Sequence, residues 1–428
     1  MPLAKILRPR TARARVAPGK GGEEPMFPLR GLRVLDLSRV LAGPFATQQL
    51  IDLGAEVIKV EQPGGDPTRA WGPPFTSDGR SAYFLSCNRG KQSIVVDLKD
   101  HRGRDLVRRM ARDVDVLIES FRCGQLDAWG LGLDTLRAAN PRLATASITA
   151  FGRSGPRRDQ GGYDALIQAM SGLMAITGPP AGPACKVGVA VIDLVAGLFS
   201  AQAILSALIA RGTEQPWTSR HIDVALYDCA LALLANVGSS ALLTQQEPAR
   251  HGNEHAAIVP YQVFAARDGE LFVAVGNDAQ WLDLAAAMQR DDWLAEKRWA
   301  TNPGRVADRA RLVATLAPEF ARHACADVIA RLQARGVPAG PVRGVLAALC
   351  DPVVALRRLI TTHADGTRSI TSPMRFDDRG ADASQPAPRA GQHARAILAS
   401  FGYAASEQAA LIDAGVVVAD TYGKGRGG

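Results

Sequence analysis

The chain reads as an α/β protein, with a mostly parallel sheet covered by helices on both faces and a smaller inserted α+β domain. Two observations predict this. Short apolar runs alternate with helical patterns between residues 31 and 149, which is how parallel βαβ units are written. After about residue 235 the texture changes to a hairpin followed by helices.

Residues 31–37 form a buried strand, and 45–53 a helix closed by Gly54. Residues 55–61 are the next strand, completing a βαβ unit in about 30 residues. The pattern recurs as strand 92–98, helix 103–112, strand 114–120 and strand 145–149. Residues 163–177 are helical in pattern, with Ile167, Met170, Leu173 and Met174 on one side. Residues 186–192 read as a strand, with Asp193 at its turn into the apolar helix 194–211. A turn-rich stretch, 213–219, precedes strand 222–226 and helix 228–238. Residues 245–261 are polar, and 262–275 hold a hairpin turned at Asp268-Gly269. Residues 281–335 are largely helical, and 336–341 are a linker loop. The expected division is a disordered leader, 1–27, and a large domain, 28–220. A linker and small domain follow at 221–335, then a return to the large domain at 336–416 and a frayed tail at 417–428.

Composition narrows the function classes. The 428 residues suffice for two cores, and 47% hydrophobic with 21% charged is ordinary for a globular protein. The most apolar stretch, 187–209, is interrupted by Asp193, Gln202, glycines and serines, so no membrane span is expected. Of the +8 formal charge, the first 25 residues carry six basic against two acidic side chains. A transit peptide would be Arg-rich in this way, but Pro and Gly break any amphipathic helix here. The segment is expected to be a disordered arm, or upstream sequence with Met26 as the true start. The remaining positive charge is scattered without interleaved aromatics, which argues against nucleic-acid binding. Six cysteines without C-x-x-C spacing point to reduced, mostly buried thiols in the cytoplasm. His251 and His255 have Gly252 and Asn253 between them and no Cys or further His nearby, so no metal is expected.

The turn after the first strand, Arg39-Val-Leu-Ala-Gly-Pro44, lacks G-x-G-x-x-G spacing. A dinucleotide site is therefore not expected. Small residues before a helix N-terminus can still receive a phosphate or a thioester. Asp193 has two readings. Asp is a common helix N-cap. A carboxylate at the C-terminal edge of a parallel sheet also stands where ligands bind, and a helix N-terminus keeps it ionised as a nucleophile. Position alone leaves both open.

Several blocks occur in order: Gly31-Leu-Arg-Val-Leu-Asp-Leu37, Arg39-Val-Leu-Ala-Gly-Pro44, Asp52-Leu-Gly-Ala-Glu-Val-Ile-Lys-Val-Glu61, Asn88-Arg-Gly-Lys-Gln-Ser93, Gly162-Tyr-Asp164, Lys186-Val-Gly-Val-Ala-Val-Ile-Asp193, Gly252-Asn253 and Gly336-Val-Pro-Ala-Gly-Pro-Val342. With these, residues 29–416 resemble the class III CoA-transferases of the CaiB/BaiF type. The resemblance implies a Rossmann-like large domain, an interlocked homodimer, and coenzyme A or acyl-CoA as substrate with no permanently bound cofactor. It implies that Asp193 is acylated and then carries CoA as an aspartyl thioester. Leu41, Ala42, Gln62, Val96, Lys99, Ser120, Phe121, Arg122, Tyr163 and Asp164 would line the CoA cleft, with Lys99 and Arg122 toward phosphates. Gly252 and Asn253 would belong to a loop over the site. The blocks around Gly162 and Lys186 look most like members that use succinyl-CoA with a small dicarboxylate acceptor. Departures are Leu41 for a Gln, Ser120 for a frequent Asn, Cys123 for a frequent Pro and Ala256 for Pro. The alternatives are a 2-methylacyl-CoA racemase of the same fold and a non-catalytic CoA-binding protein. Racemisation needs a base on each face, and Tyr163 stands where racemases of the family have His. A phenol with an ordinary pKa of about 10 serves that role poorly.

Overall fold

The computed structural model describes residues 27–214, 216–218, 220–381 and 384–419. The expected leader falls almost wholly outside them, as does most of the expected tail. The chain forms two compact units. The larger comprises residues up to Ser171, Gly188–Ala235 and the chain from Ala355 onward; the smaller comprises Gly172–Val187 and Asn236–Val354.

In chain order the elements to residue 233 are β1 (Arg33–Asp36), α1 (Ala42–Asp52), β2 (Glu56–Glu61), α2 (Ala82–Ser86), β3 (Gln92–Val96), α3 (His101–Ala111), β4 (Val116–Glu119), α4 (Gln125–Ala128), α5 (Leu133–Ala139), β5 (Ala144–Thr149), α6 (Asp164–Met170), α7 (Leu173–Ile176), α8 (Val191–Thr213), β6 (His221–Ala225) and α9 (Leu226–Leu233). Six strands lie parallel in the order β3-β2-β1-β4-β5-β6, and Val417–Val418 adds an antiparallel edge on β3. The order reverses between β1 and β4. Loops leaving those neighbours run to opposite sides and open a crevice at the carboxyl edge, where open α/β sheets bind ligands. One face is covered by α3, α5 and Ala394–Ser400, whose Leu106, Met110, Leu136 and Ile397 pack on Leu35, Ile58 and Leu117. On the other face, α8 packs against α1 and β5.

The α1–α8 contact depends on Gly197. A Cβ there would stand 2.8 Å from the Ala42 carbonyl oxygen and 3.2 Å from the Ala46 nitrogen. At an open helical position Gly→Ala is stabilising by about 0.5–1 kcal/mol. Here the neighbour is backbone, so the sign should reverse: Gly197→Ala is expected to destabilise by about 1–3 kcal/mol, read as a lower thermal midpoint. By length and composition α8 could cross a membrane, but half of its most apolar stretch is buried, as in a core helix.

Several sequence readings need correction. Residues 186–192 form no strand. The run is interrupted by Gly188 and is largely half-exposed, and helix α8 has already begun at Val191. Asp193 is thus the third residue of α8, whose N-cap is Ala190, and neither caps it nor ends a strand. The helix expected over 163–177 stops at Met170, followed by Gly172 with φ 88°. The helix expected over 228–238 breaks between Leu233 and Ala235. Only Cys87 and Cys229 of the six free cysteines are buried, because the other four stand on surface loops or at helix ends.

The smaller unit continues with α10 (Ala235–Thr244), β7 (Tyr261–Ala266), β8 (Gly269–Ala274), α11 (Asp278–Ala287), α12 (Asn302–Ala307), α13 (Arg309–Ala321), α14 (Cys325–Gln333) and β9 (Ala339–Pro341). β7 and β8 form the expected hairpin, and β9 pairs antiparallel with β8. Residues 336–341, read as a linker, therefore supply this unit's third strand, and the chain rejoins the larger unit only at Ala355. Its core gathers Phe264, Val273, Trp281, Trp293 and Phe320. The Arg305 guanidinium is buried there and donates to the carbonyls of Val259 and Trp299 and to Asp278, each at 2.8 Å, so all its nitrogens are satisfied.

Candidate active site

At the switch point between β1 and β4 the larger unit holds a cavity of about 400 Å³. Its walls come from the loop after β1 (Arg39, Leu41, Ala42, Gly43), the loop after β4 (Ser120, Phe121, Arg122, Cys123), the segment before α6 (Arg158, Tyr163) and the start of α8 (Asp193). A second cavity of about 390 Å³ is lined by Lys59, Gln62, Val96, Lys99 and Trp129, among others. Arg39, Pro67 and Phe121 line both, so the two adjoin along one edge of the sheet.

Asp193 is the one carboxylate of the first turn of α8, and only 7% of it is exposed. Burial pushes its carboxyl up to about 7, and the neighbouring Asp164 carboxylate adds to the rise. A group with that value exchanges its proton at neutral pH, as catalytic carboxylates do. Asp164 itself lines neither cavity. Its Oδ1 accepts from the amides of Ile192 (2.7 Å) and Asp193 (3.3 Å), and its Oδ2 accepts from Gln168 Nε2 (2.6 Å). The capping that Asp193 was expected to provide is supplied by a carboxylate 29 residues upstream. Among the described residues the Asp193 carboxyl has no hydrogen-bond partner, and it lines the cavity.

The structure therefore divides the expected CoA residues. Leu41, Ala42, Ser120, Phe121, Arg122 and Tyr163 share the first cavity with Asp193; Gln62, Val96 and Lys99 share the second, and Phe121 lines both. Tyr163 is 69% exposed at the cavity rim. Ser120 makes a local contact, its Oγ accepting from the Arg39 amide at 3.1 Å and tying the two switch-point loops together. Cys123 donates weakly to the Arg153 carbonyl at 3.5 Å. Gly252 and Asn253 lie in the smaller unit. There Gly252 has φ 62° and donates to the Gly178 carbonyl at 3.1 Å, while Asn253 Oδ1 accepts from the Val263 amide.

Sequence reasoning missed a cluster of buried charges in the central sheet. Asp36 ends β1, Lys59 lies within β2 and Lys91 precedes β3, and all three are buried. Lys91 Nζ pairs with Asp36 (3.1 Å) and Lys59 with Asp66 (2.9 Å). Burial alone would raise Asp36, but Lys91, Lys59 and hydrogen bonds from Ser38 and Thr47 hold it down to about 2. The signal was present as a Lys inside the otherwise apolar strand Val57-Ile-Lys-Val60. A strand buried on both faces cannot leave such a charge unpaired. Tyr83, edge-on to Trp71 at 5.1 Å, was also missed; burial pushes its hydroxyl up to about 12, and the charges of Asp193 and Asp164 add to this.

Known proteins are similar to this chain in sequence and in fold. A succinate–glutarate CoA-transferase of Agrobacterium fabrum is 42% identical over 384 residues, covering 87% of this chain and 96% of that one. An acetyl-CoA:oxalate CoA-transferase of Acetobacter aceti is 37% identical, covering 88% and 97%. The crystal structure of a CaiB/BaiF family protein from Brucella suis superposes with a TM-score of 0.80 at 43% identity, covering 87% of this chain and 99% of that one. The family model for CoA-transferase family III matches residues 29–394. With the sheet, the switch-point cavity and these matches in agreement, the chain belongs to CoA-transferase family III, enzymes that move coenzyme A between an acyl-CoA and a carboxylic acid.

Proposed function

We propose that this enzyme transfers CoA from succinyl-CoA to a small dicarboxylic acid through covalent intermediates on Asp193. The observation that carries the reading is the unpaired Asp193 carboxyl facing the switch-point cavity. As a carboxylate, Asp193 attacks the thioester carbonyl carbon, the C–S bond breaks, and a mixed anhydride and CoA thiolate form. The thiolate attacks the aspartyl carbonyl, releasing the donor acid and leaving an aspartyl-CoA thioester. The acceptor carboxylate attacks that thioester, its C–S bond breaks, and a second mixed anhydride and CoA thiolate form; the thiolate then attacks the acceptor's acyl carbonyl, giving the new CoA thioester and restoring the Asp193 carboxylate. No proton or electron is consumed over the cycle. At the start of α1, Leu41 supplies no side-chain cap, so this positive helix end favours the charge developing on the thioester oxygen.

The adjoining second cavity, with Gln62, Val96 and Lys99, suits the nucleotide end of CoA, and Arg39 and Phe121 stand where its pantetheine arm would pass. The dicarboxylate reading rests on the relative named for succinate and glutarate. The family resemblance also assigns Gly252 and Asn253 to a loop that serves the site. The chain is proposed to act as a homodimer, since Leu198, Phe199 and Ile209 of α8 are exposed apolar side chains. Its six free thiols suit a reducing, cytoplasmic setting.

The test is succinyl-CoA supplied with glutarate, mesaconate, oxalate or acetate, with product CoA esters separated by chromatography. Glutaryl-CoA or another dicarboxylyl-CoA should form faster than acetyl-CoA. Faster transfer to acetate than to every dicarboxylate would remove the acceptor assignment. Epimerisation of a 2-methylacyl-CoA without transfer would favour the racemase alternative.

A further inference from the structure

Val40, in the loop between β1 and α1, has φ 71°. This is the left-handed region, where a β-branched side chain crowds its own backbone and is a true outlier. Such a conformation persists only where its surroundings over-determine it. They do so on both sides. Before it, the Ser38 amide donates to Asp36 at 2.9 Å, and Lys59 Nζ donates to the Ser38 carbonyl at 3.0 Å. The Arg39 amide is held by Ser120 Oγ at 3.1 Å. The Val40 carbonyl meets the Cys87 thiol at 4.0 Å. After it, Lys91 Nζ donates to the Pro44 carbonyl at 2.9 Å, and Thr47 Oγ1 donates to Asp36 at 2.7 Å. The loop also folds back on itself: a Cβ on Gly43 would stand 2.2 Å from Ser38. Ser38, Pro44 and Thr47 are thereby tied into a single buried cluster of charges, Asp36, Lys91, Lys59 and Asp66. What the clamp presents to the cavity is the stretch from Val40 to Gly43, which lines it together with Asp193.

We infer that Val40 is a positioning residue, whose left-handed backbone, clamped by the buried Asp36–Lys91–Lys59 cluster, fixes the Leu41–Gly43 wall against which the thioester is aligned for attack by Asp193. This rests on the covalent reading of Asp193. Within the same clamp valine is confined to a narrow part of the left-handed region while glycine ranges over it, so Val40→Gly keeps the geometry and loses rigidity. Alignment matters because a displacement of about 1 Å at a reacting centre can lower the rate about a hundredfold.

The test separates backbone from side chain. Val40→Ala removes the isopropyl group but keeps a Cβ and its restriction; Val40→Gly removes both. With succinyl-CoA and the best acceptor, Val40→Gly should lose about tenfold or more in kcat with KM for the CoA ester within about twofold. Val40→Ala trims a side chain that lines the cavity, so the comparison is made on kcat, which should stay within about threefold of the parent whatever the change in KM. Equal losses in the two variants would assign the effect to the side chain and overturn the inference. So would an unchanged kcat in Val40→Gly, or a rise in KM alone. Failure of the Asp193 reading would show separately, as a parent enzyme that transfers CoA but never becomes modified at Asp193.

Discussion

Asp193→Asn is expected to lower kcat by about a thousandfold or more, because an amide cannot form the anhydride and the covalent route is lost rather than slowed. The variant should fold. Among the described residues none donates to the Asp193 carboxyl, and the start of α8 is capped by Asp164 instead. Steady-state transfer assays beside a thermal melt check both halves of the expectation. Loss of activity with loss of the melt would mean that Asp193 is structural. Retained activity would mean that another group carries the acyl chain.

The second large effect is on pH dependence, and activity and stability move in opposite directions. The carboxyl of Asp193, pushed up to about 7 chiefly by burial and then by Asp164, is mostly protonated below neutrality. Only the ionised form attacks, so kcat/KM should rise between pH 6 and 8 with a midpoint near 7. Stability runs the other way. The folded state binds this proton more tightly than the unfolded chain, whose Asp has an ordinary pKa of about 3.9. The stabilisation is therefore complete below about pH 4 and is lost as pH rises through about 7. At pH 8 the buried carboxylate costs up to about 4 kcal/mol. Asp193→Asn should accordingly melt higher than the parent at pH 8 and no higher at pH 4. A constant difference across that range would contradict the raised value. Asp164→Asn keeps an oxygen for the α8 amides and removes the neighbouring charge, so it should shift the activity midpoint downward.

Much of the fold was readable because its elements announce themselves locally. The run from β1 to β2 shows an apolar strand, a helix ended by Gly54 and a second apolar strand, and each signal lies within a few residues. Residues 186–192 misled for the same reason: Val187, Val189, Val191 and Ile192 look like a strand in isolation. Both long edges of β5 are occupied, by β4 and β6, and the amide groups of Ile192 and Asp193 are claimed by Asp164. That capture acts through space, and nothing in the spacing of the residues reveals it. Asp193 was legible as the proposed nucleophile through its family resemblance, whereas the Asp164 bonds that take over the capping of α8 were not. The buried charges of the central sheet were hidden for a further reason. Lys and Asp are solvated unless paired, and the pairing of Lys91 with Asp36 joins residues 55 apart that only the parallel sheet brings together. The strained Val40 lay inside a quoted motif, but a dihedral angle leaves no mark in composition.

The central claim is a covalent one, and mass spectrometry of the peptide containing Asp193 tests it most directly. Enzyme mixed with succinyl-CoA and quenched in acid before acceptor is added should carry, on Asp193, the mass of coenzyme A less one water. Glutarate added before the quench should discharge the adduct. An unmodified Asp193 in enzyme that is turning over, or an adduct on any other residue, would contradict the account.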